Sequence, residues 1–348
     1  MAYEVTIGIP VYNVEKYIRQ TLDSVLAQTF ASIEVILCDD CGTDSSIDIA
    51  REYQSSHPRG KDIRIVRQPR NMGIGAGRNL MIDEAKGKYI YFMDADDTIE
   101  PQTIELMYDN ARRYNAQMVY ASYERVEMFG SELKPTRRQY EPRQFSKSDE
   151  FAMWAYERYD NLAAMTWNIL IDIDLLRANG IRYKPINYWE DFTTTIDYPT
   201  YADRVVMLPD VTYHYYCRLD SASNFRKRSH IDKSEIQLTV GAMALVKANS
   251  QRIMDKPYFH KRMYKVMLTH FYMVCAIMNE RRAIAPPFTK REMRDVMRSP
   301  LTLGQTLRLK GWRVRNLLLC ALGLLPPALS VAFIRLAGRY KGLIQKEE

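Results

Sequence analysis

Residues 89–97 read Tyr-Ile-Tyr-Phe-Met-Asp-Ala-Asp-Asp. Five apolar or aromatic residues in a row are typical of a short strand that is buried on both faces. The polar residues that follow stand at the carboxyl end of that strand, where open α/β sheets bind their ligands. Carboxylates two apart, Asp94 and Asp96, can direct one oxygen to a sugar hydroxyl and another to Mg²⁺ or Mn²⁺. The stretch therefore predicts a buried sheet with a ligand site at its edge.

Strand and helix signals alternate on both sides of this stretch. The other predicted strands are Val5–Val11, Glu34–Cys38, Ile63–Val66 and Gln117–Ser122. The predicted helices are Val14–Gln28 with Asn13 as N-cap, Asp44–Tyr53, Gly77–Ala85, and Gln102–Asn115 with Pro101 at its start. Short buried strands separated by helices predict an α/β fold with a mostly parallel sheet and helices on both faces.

The remainder of the chain departs from this alternation. Residues 124–147 are polar and basic, and predict a surface loop or hairpin. Residues 205–216 resemble a strand, 231–282 are mostly helical in pattern, and 283–287 look like a linker. We therefore expect a first domain at 1–225, divided into 1–123 and 124–225, then a helical region at 226–304 and a tail at 305–348.

The positive charge is concentrated in that tail. The 348 residues carry 49 Lys and Arg against 42 Asp and Glu, a net charge of +7. Residues 305–348 hold eight basic and two acidic residues, or +6, which leaves +1 for the first 304. A nucleic-acid-binding domain carries its basic residues on the folded surface. Basic residues that flank an apolar segment indicate a membrane surface instead, with no nucleic acid as partner.

The apolar segment Leu317–Ile334 is interrupted by Pro326 and Pro327. Its length is at the short limit for a membrane-spanning helix, and a Pro pair breaks a helix. The segment predicts a C-terminal helical extension that associates with the membrane by lying in the cytoplasmic leaflet. Packing of the segment in a soluble core is the alternative. Five scattered cysteines and the lack of a signal-peptide pattern predict a cytoplasmic protein, peripheral on the inner face of the cell membrane.

Three polar clusters follow predicted strands. They are Pro10–Asn13, Asp39 with Asp40, and Asp94–Asp97. One Asp in such a position is commonly a helix cap. Three clusters at one edge of a parallel sheet predict a shared ligand site.

Five stretches, in this order and spacing, resemble the family 2 glycosyltransferases of GT-A fold, a Rossmann-like nucleotide-diphospho-sugar transferase architecture. They are Ile7–Asn13, Glu34–Asp40 with Thr43–Ser46, Asn71–Asn79, Tyr89–Asp97 and Trp189–Asp191. The resemblance implies that 1–225 is a catalytic domain, with a nucleotide-sugar half (1–123) and an acceptor half (124–225). It implies an enzyme of the hexosyltransferase type, found in bacterial polysaccharide or glycolipid synthesis. It implies inverting transfer of a sugar from a nucleotide-diphospho-sugar, with UDP as the expected nucleotide and a glycan or lipid-linked acceptor.

The resemblance also implies residue roles. Asp191 is the expected general base, a role in which a carboxylate must lie within hydrogen-bond reach of the acceptor hydroxyl. Asp96 is the expected ligand of a divalent metal, Mn²⁺ or Mg²⁺, and some relatives place a histidine there at the position of His214. The expected donor contacts are Pro10, Tyr12 and Asn13 at the base, Asp39 at a uracil ring nitrogen, Arg78 and Arg218 near the diphosphate, and Asp94 with Ala95 at the ribose or sugar.

Several alternatives stay open at this stage. Glu190 and Asp191 also suit the first turn of a helix because its dipole favours acidic residues. His214 also suits a structural role in an aromatic strand. An inactive scaffold subunit of the same fold, or a sugar nucleotidyltransferase, is the alternative function. The sequence does not distinguish UDP from GDP or dTDP, and it identifies neither the sugar nor the acceptor.

Overall fold

The structure, a computed structural model, describes residues 3–129, 132–158, 165–186, 189–218 and 230–344. The chain forms two compact units. The first comprises residues 1–151 and 164–223, and the second comprises residues 152–163 and 224–348.

The first unit alternates strands and helices, as its sequence pattern predicts. Its elements are β1 (Val5–Val11), α1 (Ile18–Leu26), β2 (Ile33–Asp39), α2 (Ser46–Ser56), β3 (Ile63–Arg67), α3 (Ile74–Glu84), β4 (Tyr89–Phe92), β5 (Thr98–Ile99), α4 (Thr103–Arg113), β6 (Met118–Phe129), β7 (Glu132–Arg138) and β8 (Arg143–Phe145). After α5 (Glu150–Glu157), which passes into the second unit, follow β9 (Ile169–Asp172), α6 (Ile173–Ala178), α7 (Glu190–Thr195), α8 (Tyr198–Tyr201) and β10 (Val205–Cys217).

Ten strands form one mixed sheet in the order β3-β2-β1-β4-β9-β6-β10-β5, with β7 on β6 and β8 on β10. Strands β1 to β4 pair in parallel, and so do β6 and β10. Strand β9 lies between β4 and β6 and runs antiparallel to both. The sheet is therefore mixed and not mostly parallel. The sequence could not reveal this, because a short buried strand has the same apolar run in either direction.

Two predicted boundaries in this unit are wrong. Helix α1 begins at Ile18, not at Val14, and Asn13 does not cap it. Asn13 instead adopts φ +52° and accepts a hydrogen bond from the Thr43 amide at 2.8 Å. Asn tolerates this left-handed conformation better than most residues, so it suits a turn as well as a cap. The strand predicted at 117–122 continues to Phe129 and pairs with β7, which makes the polar segment 124–147 a hairpin.

The second unit is mainly helical, as predicted for 231–282. Its elements are β11 (Ile231–Asp232), α9 (Lys233–Ser250), α10 (Phe259–Asn279), β12 (Ile284–Ala285), α11 (Lys290–Val296), α12 (Leu303–Leu307), α13 (Arg313–Leu324) and α14 (Pro327–Tyr340). The expected linker at 283–287 is not a free segment. Ile284 is buried, and its strand pairs in parallel with Ile231.

The apolar C-terminal segment forms two helices, as expected from its Pro pair. Helix α13 ends at Leu324 and α14 begins at Pro327, where proline suits the first turn. Within the part of the chain that the structure describes, no helix has both the length and the hydropathy that crossing a bilayer requires.

Candidate active site

The candidate site lies in the first unit, at the carboxyl ends of β1, β2 and β4. Parallel pairing places these three ends at the same edge, since Val11 is in register with Asp39 and Gly8 with Phe92. The three polar clusters predicted from the sequence therefore do meet at one edge of the sheet.

Asp39 stands at the end of β2 and is nearly buried. Its Oδ1 accepts a hydrogen bond from the Cys41 amide at 2.8 Å, and its Oδ2 lies 3.3 Å from Nε of Arg67. The carboxylate is thus fixed in orientation beside a cation. Tyr12 stands nearby at the end of β1 with 48% of its surface exposed, although tyrosine usually buries its ring. An exposed ring beside a fixed carboxylate suits a planar heterocycle.

Asp40 holds the next loop to the sheet. Its carboxylate accepts hydrogen bonds from the amides of Met72 and Gly73 and from the Gln68 side chain, at 2.7–3.0 Å. Burial raises the pKa of this carboxyl, and the two amide donors lower it in part. Asp40 thereby anchors the loop that leads into α3. The role of Asp40 is therefore structural. The contact with the base is expected from Asp39 alone.

Arg78 of α3 is the centre of the site. Its guanidinium is only 2% exposed and contacts the carboxylates of Asp94, Glu190 and Asp191. It also lies over the ring of Tyr183, 5.3 Å from the centroid. Burial alone would lower the pKa of Arg78, but the three carboxylates more than reverse this, so the group stays charged. One buried cation therefore joins the carboxyl end of β4 to the start of α7.

Asp191, in the first turn of α7, is held at one oxygen. Its Oδ1 accepts hydrogen bonds from Nη1 of Arg78 and from the Thr166 hydroxyl, the latter at 2.6 Å. The side chain remains 25% exposed. Among the contacts of the described residues, both fall on Oδ1, so Oδ2 stays available to a ligand. This is the arrangement that a general base requires.

The surrounding carboxyl groups are strongly perturbed. Burial, together with the adjacent Asp191 carboxylate, raises the pKa of Glu190 to about 7. Burial and the charge of Asp96 raise the pKa of Asp94 to about 7, although the charge of Arg78 opposes this shift. The four carboxylates of Asp94, Asp96, Glu190 and Asp191 are thus balanced by only two cations, Arg78 and Arg218. Such an excess of negative charge is common where a protein binds a charged ligand.

Asp96 and Arg218 form a second ion pair. Nη1 of Arg218 donates to Oδ2 of Asp96 at 2.8 Å, and Nη2 donates to the Asp96 carbonyl at 2.6 Å. The guanidinium is 8% exposed and lies 4.0 Å from the centroid of the Tyr17 ring. The predicted phosphate contact, Arg218, is therefore at the site, and at present it neutralises the predicted metal ligand.

The intervening residues fix the turn after β4. The Ala95 carbonyl accepts from the buried Thr21 hydroxyl at 2.9 Å. Asp97 accepts from the Tyr213 hydroxyl at 2.7 Å and from the Tyr216 amide at 2.9 Å. Burial raises the pKa of Asp97, and the Asp96 charge raises it further. These contacts tie the turn to β10 and so set the direction of Asp94 and Asp96.

His214 is not brought together with Asp96. Its Nε2 lies 2.7 Å from Oε1 of Glu100, and its Nδ1 lies 3.4 Å from Oε2 of Glu124. It lines a separate open cavity of about 370 Å³ with Arg137 and Asp210. Because its strand neighbour Tyr213 already contacts Asp97, the alternation of β10 turns His214 the other way. The expected metal role of His214 is therefore not supported, and a structural role between two glutamates is.

The metal site itself fits only in part. Within the described ranges, no three His, Cys, Asp or Glu side chains are grouped so as to hold a metal ion. Asp94 and Asp96 nevertheless supply hard oxygen ligands close together. Mg²⁺ often takes one or two carboxylates and completes its shell with substrate phosphate and water. These residues fit a metal that is held jointly with a diphosphate, and not one that the protein binds alone.

Three residues at the site were not predicted from the sequence. Thr166 lies 25 residues before Asp191, Tyr183 lies beneath Arg78, and Tyr17 lies beneath Arg218. All three act on a partner that is distant in sequence. No local spacing indicates such a contact, so only the folded structure could reveal it.

Comparison with protein families agrees with this geometry. The sequence model described as "Glycosyl transferase family 2" matches residues 6–178, which contain every element of the site up to α6. The solved structure of TarS from S. aureus in complex with UDP-GlcNAc has a TM-score of 0.60 to this chain at 19% identity. The match covers 98% of this chain and 84% of that one, and it shows a common fold.

Curated relatives match over shorter stretches. Glycosyltransferase GlyA of Streptococcus pneumoniae is 36% identical over 34% of this chain, and chondroitin synthase of Escherichia coli is 37% identical over 36%. These matches span only 17% and 18% of those two proteins. The uncharacterized glycosyltransferase EpsJ of Bacillus subtilis is 29% identical over 61% of this chain and 60% of its own length. Residues 6–178 of this chain therefore form a domain of glycosyl transferase family 2.

Proposed function

We propose that this protein is a metal-dependent, inverting glycosyltransferase. It takes a sugar from a nucleotide-diphospho-sugar, with UDP as the nucleotide, and transfers it to a glycan or lipid-linked acceptor in the synthesis of a cell-surface polysaccharide. Family membership supports sugar transfer in general, and the names of the relatives support polysaccharide synthesis. The nucleotide, the mechanism and the acceptor are our inference.

One observation carries the proposal, the convergence of Asp94, Arg78 and Asp191. Asp94 stands at the donor edge of the sheet, Asp191 stands at the start of α7, and Arg78 contacts both. Inversion needs a base on the face of the sugar opposite the leaving group. A single buried cation that fixes the donor-side and base-side carboxylates meets this need, because it holds both in one rigid arrangement.

The chemistry follows from the accessible oxygen of Asp191. Oδ2 accepts the proton of the acceptor hydroxyl as the hydroxyl oxygen forms its bond to the anomeric carbon. The bond from that carbon to the diphosphate breaks on the opposite face, and the nucleoside diphosphate leaves with the electron pair. Thr166 and Arg78 keep Oδ1 occupied, so that Oδ2 is the oxygen presented to the acceptor.

Asp96, together with Asp94, would hold the divalent metal. A bound metal neutralises charge on the diphosphate as it leaves. In the present structure, Arg218 occupies Asp96 through a 2.8 Å contact. Arg218 and a diphosphate are complementary in charge and geometry, because a guanidinium pairs well with phosphate oxygens. We therefore infer that donor binding transfers Arg218 from Asp96 to the diphosphate and frees the carboxylate.

The choice of UDP rests on Tyr12 and Asp39. The exposed Tyr12 ring offers a stacking surface to a base, and the fixed Asp39 carboxylate offers an acceptor to a ring N–H. Uracil presents such a donor. The TarS structure was solved with UDP-GlcNAc, which makes UDP the first nucleotide to test here.

Calorimetric titration of UDP, GDP and dTDP, each with and without Mn²⁺, tests the donor site. We expect UDP to bind in a metal-dependent manner to the wild type. In Asp96→Ala the dependence on Mn²⁺ should disappear. Asp174→Ala is the matched control, since it removes an exposed carboxylate of the same unit and should bind as the wild type does.

Two outcomes would contradict the proposal. If none of the nucleotides binds, the protein shares the fold of the family but not its donor site, and the scaffold alternative stands. If UDP binds equally well without Mn²⁺ and in Asp96→Ala, the metal has no place in the mechanism. Release of UDP from UDP-sugars by the wild type, measured with a panel of donors, then separates an enzyme from a binding protein.

A further inference from the structure

The C-terminal helices carry an uninterrupted positive charge. Residues 296–344 contain eight Lys and Arg and no Asp or Glu. The basic residues are Arg298, Arg308, Lys310, Arg313, Arg315, Arg335, Arg339 and Lys341. All but Arg335 are exposed. Asp295, just before this stretch, pairs with Arg298 at 3.0 Å. No acidic side chain within the stretch balances the other seven, so they produce a positive field at the surface of the second unit.

The outer faces of α13 and α14 are apolar. They expose a stripe of large side chains, at spacings of four and six residues on α13 and of three to four residues on α14. The stripe consists of Val314, Leu318, Leu324, Leu329, Phe333 and Leu336, each between 51% and 69% exposed, and Tyr340, which is 92% exposed. A surface helix of a soluble domain carries polar residues on this face. We call these seven residues the outer stripe.

The outer stripe is not an unfinished part of the core. Both helices already bury a second apolar face, with Leu319 and Cys320 on α13 and Val331 and Ile334 on α14. These inner faces pack against α10 and α11. The two helices are therefore apolar on opposite sides, and an apolar surface of this extent on a folded unit marks an interaction site.

We propose that the outer stripe lies in the interfacial region of an anionic lipid bilayer, with α13 and α14 parallel to the membrane surface. Helices with an apolar face and basic flanks bind membranes in this way, because the apolar side chains enter the acyl boundary while Lys and Arg contact anionic headgroups. The lengths of 12 and 14 residues suit this orientation and are too short for a span. Tyr340 suits the headgroup level because its ring is amphipathic.

A second copy of the chain is the less suitable occupant. In a two-fold dimer the same surface meets itself. The basic flanks would then face one another with no acidic residue from 296 to 344 to pair with them. Like charges brought together at an interface oppose association. An anionic bilayer complements both the charge and the apolar stripe, so it is the occupant that the surface fits.

Vesicle flotation of the full chain tests the proposal and requires neither donor nor acceptor, so it is independent of the proposed enzyme activity. The probes are vesicles of phosphatidylcholine alone and of phosphatidylcholine with an equal share of phosphatidylglycerol. We expect at least tenfold stronger binding to the anionic vesicles, and a loss of this preference in raised salt. The variant Phe333→Asp/Leu336→Asp should lose binding at least tenfold.

A matched control uses exposed leucines of the same unit. Leu238 and Leu245 on α9 are 61% and 54% exposed, and Leu238→Asp/Leu245→Asp adds the same two charges outside the basic segment. This control should bind as the wild type does. Arg339→Gln/Lys341→Gln should weaken binding to anionic vesicles and leave the weak binding to neutral vesicles unchanged. Circular dichroism confirms that each variant is folded.

Three results would overturn the proposal. The first is equal flotation with neutral and anionic vesicles, or no flotation with either kind. The second is an equal loss of binding in the α9 control. The third is a lipid-free dimer, found by light scattering, that Phe333→Asp/Leu336→Asp converts to a monomer without any change in vesicle binding. In that case the outer stripe is an interface between copies of the chain.

Discussion

Asp191 differs from Asp97, the buried carboxylate of the turn after β4, in how its two oxygens are used. Oδ1 is held by Arg78 and Thr166, and the side chain is still 25% exposed. By contrast, Asp97 has hydrogen bonds to both oxygens and is fully buried. A group that is held at one end and accessible at the other can transfer a proton without reorganising its surroundings, which is the property that catalysis needs.

Asp191→Asn tests this role. The amide keeps the size of the side chain but cannot take a proton, so we expect kcat to fall by about 10²–10⁴-fold. Nucleotide affinity should stay within about twofold of the wild type, because Asp191 lies on the base side and not on the donor side. Steady-state kinetics with a fixed donor and calorimetry with the nucleotide measure the two effects. A variant that loses both equally would place Asp191 in binding and not in catalysis.

Thr166 is a positioning residue with a more specific test. Its buried hydroxyl donates to Oδ1 of Asp191 at 2.6 Å. Thr166→Val is isosteric and removes this hydrogen bond together with the one between Thr166 and Tyr183. We expect kcat to fall about tenfold, in line with the loss of one hydrogen bond to a charged group. Thr166→Ser retains the hydroxyl and should restore most of the rate, with the donor KM unchanged in both. A Val variant with the wild-type rate would instead show that the hydroxyl does not position Asp191.

At the scale of the elements, the site depends on how closely α3 approaches the segment 181–186. A Cβ added at Gly75 would lie 2.6 Å from the carbonyl oxygen of Lys184 and 3.3 Å from Cβ of Tyr183. Glycine at position 75 therefore permits the approach that places the Tyr183 ring beneath Arg78, three residues further along the helix. Arg78 is thus positioned by the absence of a side chain one helical turn earlier.

Gly75→Ala should consequently destabilise the protein by about 1–3 kcal/mol, because a clash with backbone costs more than the better helix propensity of alanine returns. Gly241→Ala is the matched control. Gly241 also lies within a helix, but nothing comes within 4 Å of its added Cβ, so we expect a gain of about 0.5–1 kcal/mol. Urea denaturation followed by circular dichroism compares the two. A stabilised Gly75→Ala variant would show that α3 can shift without cost.

The elements also show what the sequence could predict and what it could not. Strands β1, β2, β3 and β4 and the clusters at their ends were predicted correctly, because each is a buried run followed by polar residues that are local in sequence. The antiparallel β9 and the pairing of β11 with β12 were not, since the orientation of a strand and its partner depend on distant residues. The position of Asp39 at the sheet edge could be predicted because Asp39 directly follows a buried run. The contact of Thr166 with Asp191 could not, because the two residues are distant in sequence. The contacts of His214 with Glu100 and Glu124 could not be predicted, because the two faces of a strand look alike in sequence until its neighbour Tyr213 is located.

At the scale of the whole molecule, the two units differ in how they hold their ionisable groups. In the first unit, burial raises the pKa of most perturbed carboxyls; these are Asp40, Asp94, Asp97, Asp172 and Glu190. In the second unit, hydrogen bonds lower the pKa of the perturbed carboxyls Glu157, Asp232 and Glu292. The exceptions in the first unit, Asp44 and Glu52, are on the surface or close to it.

His270 adds to this difference. It is 1% exposed on α10, and its Nδ1 lies 2.7 Å from the Val266 carbonyl. Burial lowers its pKa to about 3, and the charge of Lys247 lowers it further. In the folded protein the ring thus stays neutral down to about pH 3, whereas in the unfolded chain it protonates near the ordinary histidine pKa of 6.5. Between these values the unfolded state binds more protons, so the second unit loses stability as the pH falls.

The first unit should respond in the opposite direction. The folded-state pKa of Glu190, about 7, lies above the ordinary glutamate pKa of 4.5. Between these values the folded state binds more protons, so this unit gains stability as the pH falls from about 7 to 4.5. Calorimetric scans from about pH 7.5 to pH 4.5 should therefore show two unfolding transitions that move apart, with the second unit at the lower temperature in acid.

Two variants assign these transitions. His270→Gln removes a group that must lose its proton to be buried, and it should flatten the pH dependence of the lower transition, which amounts to about 3 kcal/mol near pH 4. Glu190→Gln should reduce the pH dependence of the upper transition by about 1–3 kcal/mol and leave the pH dependence of the lower transition unchanged. If both transitions move in the same direction with pH, or if either variant alters the wrong one, then burial of these groups does not control how the units respond to acid. If they diverge as described, acidification provides a way to unfold the helical unit while the unit that holds the candidate active site stays folded.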